Sequence, residues 1–227
     1  EDLFECAPNM EVLYINGGEP TLIKAHWNYL DKLVSSGRSK NIILWYNINM
    51  TNLPAEAIPI WKEFKEARVC PSIDCLDKRN QYIRFPTDWN DVTKHLDMLL
   101  EEPVITTRIT QTVSAYNYAY VDEFLNWAPC PVDMNFVYDP DYLSPAILPP
   151  VVRRQVHEKF RKTLGNKYEL GTLLSMFDND DWDETKWEHF CRYNDELDKI
   201  RKHDEGWRDI FPELVELCET NGIQHRY

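Results

Sequence analysis

The order of apolar runs and turn residues in this 227-residue chain predicts an α/β fold, with parallel strands alternating with helices and a helical C-terminal region after them. Three observations carry that prediction. Short apolar runs stop at Gly, Asn or Ser, as Val12-Leu13-Tyr14-Ile15 stops before Gly17-Gly18. Stretches with apolar residues at helical spacing lie between those runs. Beyond Tyr138 the strand-like runs cease, and Asp139-Pro140 and Leu148-Pro149-Pro150 punctuate a series of helical patterns.

Taken in order, the run at residues 12–15 reads as a buried strand. Thr21 can cap a helix ending at Ser36-Gly37, with Leu22, Leu30, Leu33 and Val34 toward the core. A second strand covers residues 42–46. Pro54 opens another helix, with Ile58, Trp61 and Phe64 inward, since proline is tolerated in a first turn. A third strand is expected at 69–73. A helix at 87–100 follows, carrying Trp89, Val92, Leu96 and Leu99. A strand at 104–113, a helix at 118–127 and a strand at 132–137 complete the series. Strands and helices in this rhythm imply right-handed βαβ units. Five strands are too few for a closed eight-stranded barrel. The tail is expected to hold helices at 151–164, 169–177, 184–203 and 213–219.

An apolar fraction of 43% is that of an ordinary globular chain, and eight Trp and twelve Tyr promise a ring-rich interior. The formal net charge of −13, with no Lys/Arg run, argues against a nucleic-acid backbone as partner. No stretch approaches the roughly 18 apolar residues of a membrane span, and no signal peptide opens the chain. Six scattered cysteines without zinc-site spacing fit a reducing, cytoplasmic setting. The chain opens on Glu1-Asp2-Leu3 with no starting Met, from which it is expected to begin inside a longer gene. The acidic run at residues 178–184 lacks the glycine and distal glutamate of a calcium loop, and reads as a solvated loop with a helix-capping Asp.

Parallel α/β folds bind ligands at the carboxyl ends of their strands. Those positions here hold Asn16-Gly17-Gly18-Glu19-Pro20, Asn47-Ile48-Asn49, Ser72-Ile73-Asp74, Arg108 with Gln111, and Asn135. Such a rim suits a small, zwitterionic, nucleoside-like ligand. Glu19 can accept bonds from an ammonium group, and glycines allow close backbone approach. Each residue also has an ordinary structural role open to it. Gly-Gly-Glu-Pro can be a turn before a helix, Asn47 and Asn49 turn formers, Asp74 a cap, and Arg108 the partner of a surface carboxylate.

Gly17-Gly18-Glu19-Pro20 resembles the GGEP motif of radical S-adenosylmethionine (SAM) enzymes. Asn47-Ile48-Asn49-Met50 resembles the Asn-Thr-Asn-Gly segment of that family, and Ser72-Ile73-Asp74-Cys75 its Ser-Ile-Asp-Gly segment. Residues 79–84 are similar to the loop that follows there. Thr112-Val113-Ser114 with Asn117, Pro140-Asp141-Tyr142-Leu143 and Phe211-Pro212-Glu213-Leu214 are similar to members with a twitch-type C-terminal region. The ordered set spans nearly the whole chain. It implies a partial (β/α) TIM-like barrel over residues 1–140 that lacks its first strand, with a helical, twitch-like extension over 141–227. It also implies SAM as cofactor, held by Gly17, Gly18, Glu19, Pro20, Asn47, Asn49, Ser72 and Asp74. Arg108, Gln111 and Asn135 fall on the substrate side.

Met50 and Cys75 stand where the family has glycine. The CxxxCxxC motif that would hold a 4Fe–4S cluster is missing, since the sixteen residues before Gly17 contain Cys6 alone. The cluster is therefore expected only in an intact parent. There the cluster would cleave SAM reductively to a 5′-deoxyadenosyl radical, acting on a small-molecule or peptide substrate. In this chain no catalytic residue and no metal ligand is assigned. Two alternatives stay open: a cluster-free SAM-binding or protein-interaction module, and an unrelated TIM-like metal-dependent hydrolase. Against the hydrolase, His26, His95, His157, His189, His203 and His225 all fall in expected helices or at the terminus. Neither a nucleic acid nor a membrane is expected as partner, but the sheet edge beside Val12–Ile15 is open to pairing with another chain. Anaerobic iron–sulfur reconstitution of this chain is expected to give no stable 4Fe–4S absorbance. Near-stoichiometric iron with that spectrum would contradict the expectation.

Overall fold

The computed structural model describes residues 3–165, 171–175, 177–202 and 204–226. In chain order the elements are α1 (Leu3–Cys6), β1 (Val12–Ile15), α2 (Lys24–Ser35), β2 (Ile43–Ile48), α3 (Ala57–Trp61), β3 (Glu66–Pro71), α4 (Asp77–Ile83), α5 (Trp89–Leu100), β4 (Ile105–Thr107) and β5 (Ile109–Val113). They continue with α6 (Val121–Trp127), β6 (Val132–Phe136), α7 (Pro150–Thr163), α8 (Gly171–Ser175), α9 (Glu184–Arg201), α10 (Trp207–Ile210) and α11 (Pro212–Thr220). This is the expected mixture of parallel strands alternating with helices, followed by a helical C-terminal region. No closed barrel forms among the described residues. The chain gathers into two compact units. One comprises Glu1–Ile73, Pro86–Thr110 and Pro129–Asp133; the other comprises Asp74–Phe85, Gln111–Ala128 and Met134–Tyr227.

In the first unit β1, β2, β3 and β4 form a parallel sheet in that order, with Ile15 beside Tyr46 and Ile48 beside Pro71. Alternation along β2 places Leu44, Tyr46 and Ile48 in the core. Leu30 and Leu33 of α2 and Val92, Leu96 and Leu99 of α5 are also buried, as their helical spacing predicts. Trp61 joins Tyr46 and Trp27 in a ring cluster, at centroid distances of 5.1 and 6.2 Å. Asp88 caps α5, its carboxylate accepting from the N–H groups of Asn90 and Asp91.

The second unit is built around rings. Trp187, Phe190, Trp207 and Phe211 are fully buried, with Phe190 stacked on Trp187 at 5.4 Å and edge-on to Trp207 at 5.5 Å. Asn194 of α9, also fully buried, accepts from the Tyr116 hydroxyl at 2.5 Å and donates to the Phe190 carbonyl at 2.7 Å. The guanidinium of buried Arg153 donates to the carbonyls of Phe177 and Asp181 and to Asn179, which pins the acidic run. Asp183 caps α9 through the Thr185 N–H.

Several expectations need correcting. The strand β1 lies at the sheet edge, and Val12 and Tyr14 are each 52% exposed, so it is half-covered rather than buried. Residues 20–22 form a 3₁₀ turn capped by Glu19, not the start of α2, which leaves Leu22 exposed. The third strand begins at Glu66, because Glu66 and Arg68 pair on its more open face while Ala67 and Val69 point inward. The strand expected at 104–113 breaks at Arg108, where hydrogen bonding passes from β3 to β6. Residues 79–84, read as a loop, lie largely in α4. Glu1, Asp2, residues 166–170, Met176, His203 and Tyr227 lie outside the described residues, and with them the start of the helix expected at 169–177 and the last residue of the one expected at 184–203.

His26 supplies a pH-sensitive element. Its Nε2 bonds the Tyr46 hydroxyl, and burial pushes the imidazole down from 6.5 to about 4. The neutral ring is the one the folded state accepts. Stability from this group is thus complete above pH 6.5 and is lost as pH falls toward 4. Because the ring is only partly enclosed, the loss is of the order of 1 kcal/mol. Denaturant unfolding of the wild type and His26→Gln across this window should show the smaller pH slope in the variant.

Candidate functional site

Parallel register sends the chain out of β1, β2 and β3 on the same side of the sheet. At the end of β1 the backbone turns through Gly17 at φ 91° and Gly18 at φ 57°. Both values lie in the left-handed region that side chains disfavour. No heavy atom lies within 4 Å of where a Cβ would stand on either residue, so this stretch of backbone is open. Glu19 follows, half-buried, and its carboxylate ties two loops together. Oε1 accepts from the Thr21 hydroxyl at 2.5 Å and the Thr21 N–H at 3.4 Å, and Oε2 accepts from the Asn49 N–H at 2.8 Å. A carboxylate has about four acceptor positions. One on Oε2 therefore remains for a further donor. Pro20, the first residue of the 3₁₀ turn, is buried.

At the end of β2, Asn47 donates to the Tyr14 hydroxyl at 2.6 Å. Asn49 accepts from the Thr51 N–H at 2.9 Å and the Thr51 hydroxyl at 2.5 Å. Asn49 thus serves the turn that holds it, whereas Asn47, still within β2, is no turn former and instead links β2 to β1. Ser72, half-buried past the end of β3, continues the sheet by donating its N–H to the Ile48 carbonyl at 2.7 Å. Arg108 makes a two-pronged ion pair with Asp133, at 2.8 and 2.6 Å, on the surface. That pairing is the structural alternative open to it from the start.

Three of the expected site residues belong to the second unit. Asp74 is 3% exposed, and its carboxylate meets Arg84 at 2.7 and 3.0 Å and the Thr112 N–H at 2.7 Å. Its carbonyl accepts from Gln111 at 3.1 Å and Asn117 at 2.7 Å. Asp74 is therefore the hub of a buried polar network, and it caps no helix. Gln111 is fully buried, and its Oε1 has no partner among the described residues. Asn135 is exposed on β6. Asp74 also borders a cavity of about 170 Å³ that Tyr82, Tyr116 and Arg201 help to line. None of the three stands at a strand end: Tyr82 and Arg201 sit on helices, Tyr116 follows β5 by three residues, and only Tyr82 falls within a segment that the sequence singles out, residues 79–84.

The thiols do not suit an iron–sulfur cluster. Cys6 is exposed, Cys130 half-buried and the other four buried, all of them free. Burial pushes the Cys75 and Cys218 thiols up to about 12 and Cys191 higher still, so they stay protonated in the chain as it stands. Among the described residues no three His, Cys, Asp or Glu side chains gather to hold a metal ion, and no helix is long and apolar enough to cross a membrane.

No family model matches the chain, and no curated protein is similar to it at a significant level. Among solved structures it is similar to one described as native anSMEcpe with bound AdoMet and Cp18Cys peptide, at 19% identity and a TM-score of 0.49. The match takes in 83% of this chain and 52% of the other, so the chain spans about half the length of that protein. At this level of likeness no functional residue is transferred.

Met50, in the glycine position of the resembled segment, has φ 63°. Its side chain is fully buried, and its carbonyl accepts from His95 Nδ1 at 2.7 Å. Packing thus offsets a backbone conformation that costs a side-chain-bearing residue about 1 kcal/mol. Cys75, in the other such position, has no left-handed φ, so its backbone does not demand glycine. At an ordinary site a Gly variant is less stable than an Ala variant. Here Met50→Gly should be the more stable of the two by about 1 kcal/mol, both falling below the wild type, as chemical denaturation would measure.

Proposed function

We propose that the first unit carries the SAM-binding rim of a radical SAM-type protein, with the Glu19 carboxylate receiving the ammonium of the methionine moiety. The observation that carries this is the state of Glu19. Its carboxylate is oriented by two neighbouring loops, keeps one acceptor position open, and follows two exposed left-handed glycines. The order of the Gly-Gly-Glu-Pro, Asn-Ile-Asn and Ser-Ile-Asp segments along the chain supports it. Gly17, Gly18 and Pro20 shape the approach, while Asn47, Asn49 and Ser72 stand at the adjacent strand ends. Asp74 contributes by organising its own segment, since its carboxylate is committed to Arg84 and Thr112.

In a whole protein that also held a reduced 4Fe–4S cluster, SAM held at this rim would supply radical chemistry. The cysteines of this chain do not fit such a cluster, so the function proposed for these residues is binding and orienting the cofactor. A small-molecule or peptide substrate belongs to the proposal for the whole protein.

Calorimetric titration with SAM tests it. The wild type should bind saturably, and Glu19→Gln should weaken binding roughly tenfold or more through loss of a charge-assisted bond. Thermal melting of the variant checks that the loops it ties remain folded. Absence of saturable binding by the wild type, or an unchanged affinity in a folded Glu19→Gln, would overturn the assignment.

A further inference from the structure

The cavity of about 170 Å³ lies wholly within the second unit, and its chemistry is distinct from that of the Glu19 rim. Its walls are aromatic: Tyr82 and Tyr116 stand with ring centroids 5.9 Å apart, and Tyr193 of α9 lines it as well. The hydroxyls of Tyr82 and Tyr116 are turned to the interior, where both donate to Asn194 and that of Tyr82 also to Asp198. The rings therefore present apolar surface to whatever occupies the space.

Two charged groups border the cavity, and they differ. Asp74 is already neutralised by Arg84. Arg201 is not neutralised. Its guanidinium lies over the rings of Tyr82 and Phe85, at 5.4 and 4.8 Å, and donates only to the Tyr82 carbonyl, at 2.8 Å. No carboxylate among the described residues pairs with it. Asp198, one helical turn before it, has its oxygens occupied by the Tyr82 hydroxyl and the Trp207 N–H, and it does not line the cavity. In a chain of net charge −13, an arginine without an acidic partner beside an aromatic-walled cavity marks a place for an anion. Thr112 adds a polar group. Its N–H is spent on Asp74, while its hydroxyl is free to bond an occupant.

Size narrows the choice. A cavity of about 150 Å³ accommodates benzene, so this one holds a single ring with short substituents. We propose that it binds a single-ring aromatic carboxylate: the ring between Tyr82, Tyr116 and Tyr193, the carboxylate on Arg201, and a ring hydroxyl or ring nitrogen within reach of Thr112. This assignment stands apart from the SAM proposal, and Glu19 variants play no part in its test.

Calorimetry on the full chain with 4-hydroxybenzoate, benzoate and benzamidine decides it. 4-Hydroxybenzoate should bind saturably, in the micromolar-to-millimolar range open to so small a ligand. Benzamidine, with the same shape and opposite charge, should not. Arg201→Gln should weaken 4-hydroxybenzoate binding by about tenfold or more. Thr112→Val should narrow the margin between 4-hydroxybenzoate and benzoate. The proposal is overturned if neither carboxylate binds the wild type at about 1 mM, if benzamidine binds as well as they do, or if a folded Arg201→Gln binds unchanged. Should Arg201→Gln fail to fold, the wild-type comparison of carboxylate with amidinium decides alone.

Discussion

The parallel pairing of β1, β2 and β3 is the constraint on which the rest of the first unit depends. A parallel strand cannot return directly to its neighbour, so each strand must be followed by a crossover, here provided by α2 and α3. All strands then end on the same side, and their outgoing loops become neighbours. That is why Glu19, thirty residues from Asn49 in sequence, can accept its N–H. It is also why Asn47 reaches Tyr14. Without the shared register these groups would be unrelated turn residues.

The second unit follows a different rule. Its core is a continuous set of rings whose polar atoms must find partners inside, because an unmet buried donor or acceptor costs about 1–3 kcal/mol. Asn194 meets that need for Tyr116 and Tyr82, and Asp195 for Trp207 and Arg208. Asp74 meets it for Arg84 and for the backbone of Thr112. Arg201 has no carboxylate partner among the described residues, and the cavity lies beside it.

The strand-end residues are tied into the scaffold to different degrees. Glu19 and Asn49 hold turns together, and Asn47 bridges two strands through the Tyr14 hydroxyl. The Glu19 bonds use three acceptor positions and leave one. Arg108 is different, because Asp133 satisfies its fork in both directions.

Alternation, capping and turn residues in the sequence determined by themselves the class of fold, the alternation of strands with most of the helices, and the helical tail, but neither α4 nor the break between β4 and β5. They did so because burial on one face imposes a period that any reader of the chain can see. The motifs likewise placed Gly17 to Pro20, Asn47, Asn49 and Ser72 at strand ends. Local pattern could not say that Val12 and Tyr14 stay exposed, since an edge position is a property of the sheet and not of the strand. Nor could it say that Asp74 would be spent on Arg84, ten residues away, or that Arg201 would meet no carboxylate among the described residues. Charge pairing of that kind is settled by which side chains the fold brings within a few ångströms. The chain specifies them only through its complete tertiary structure.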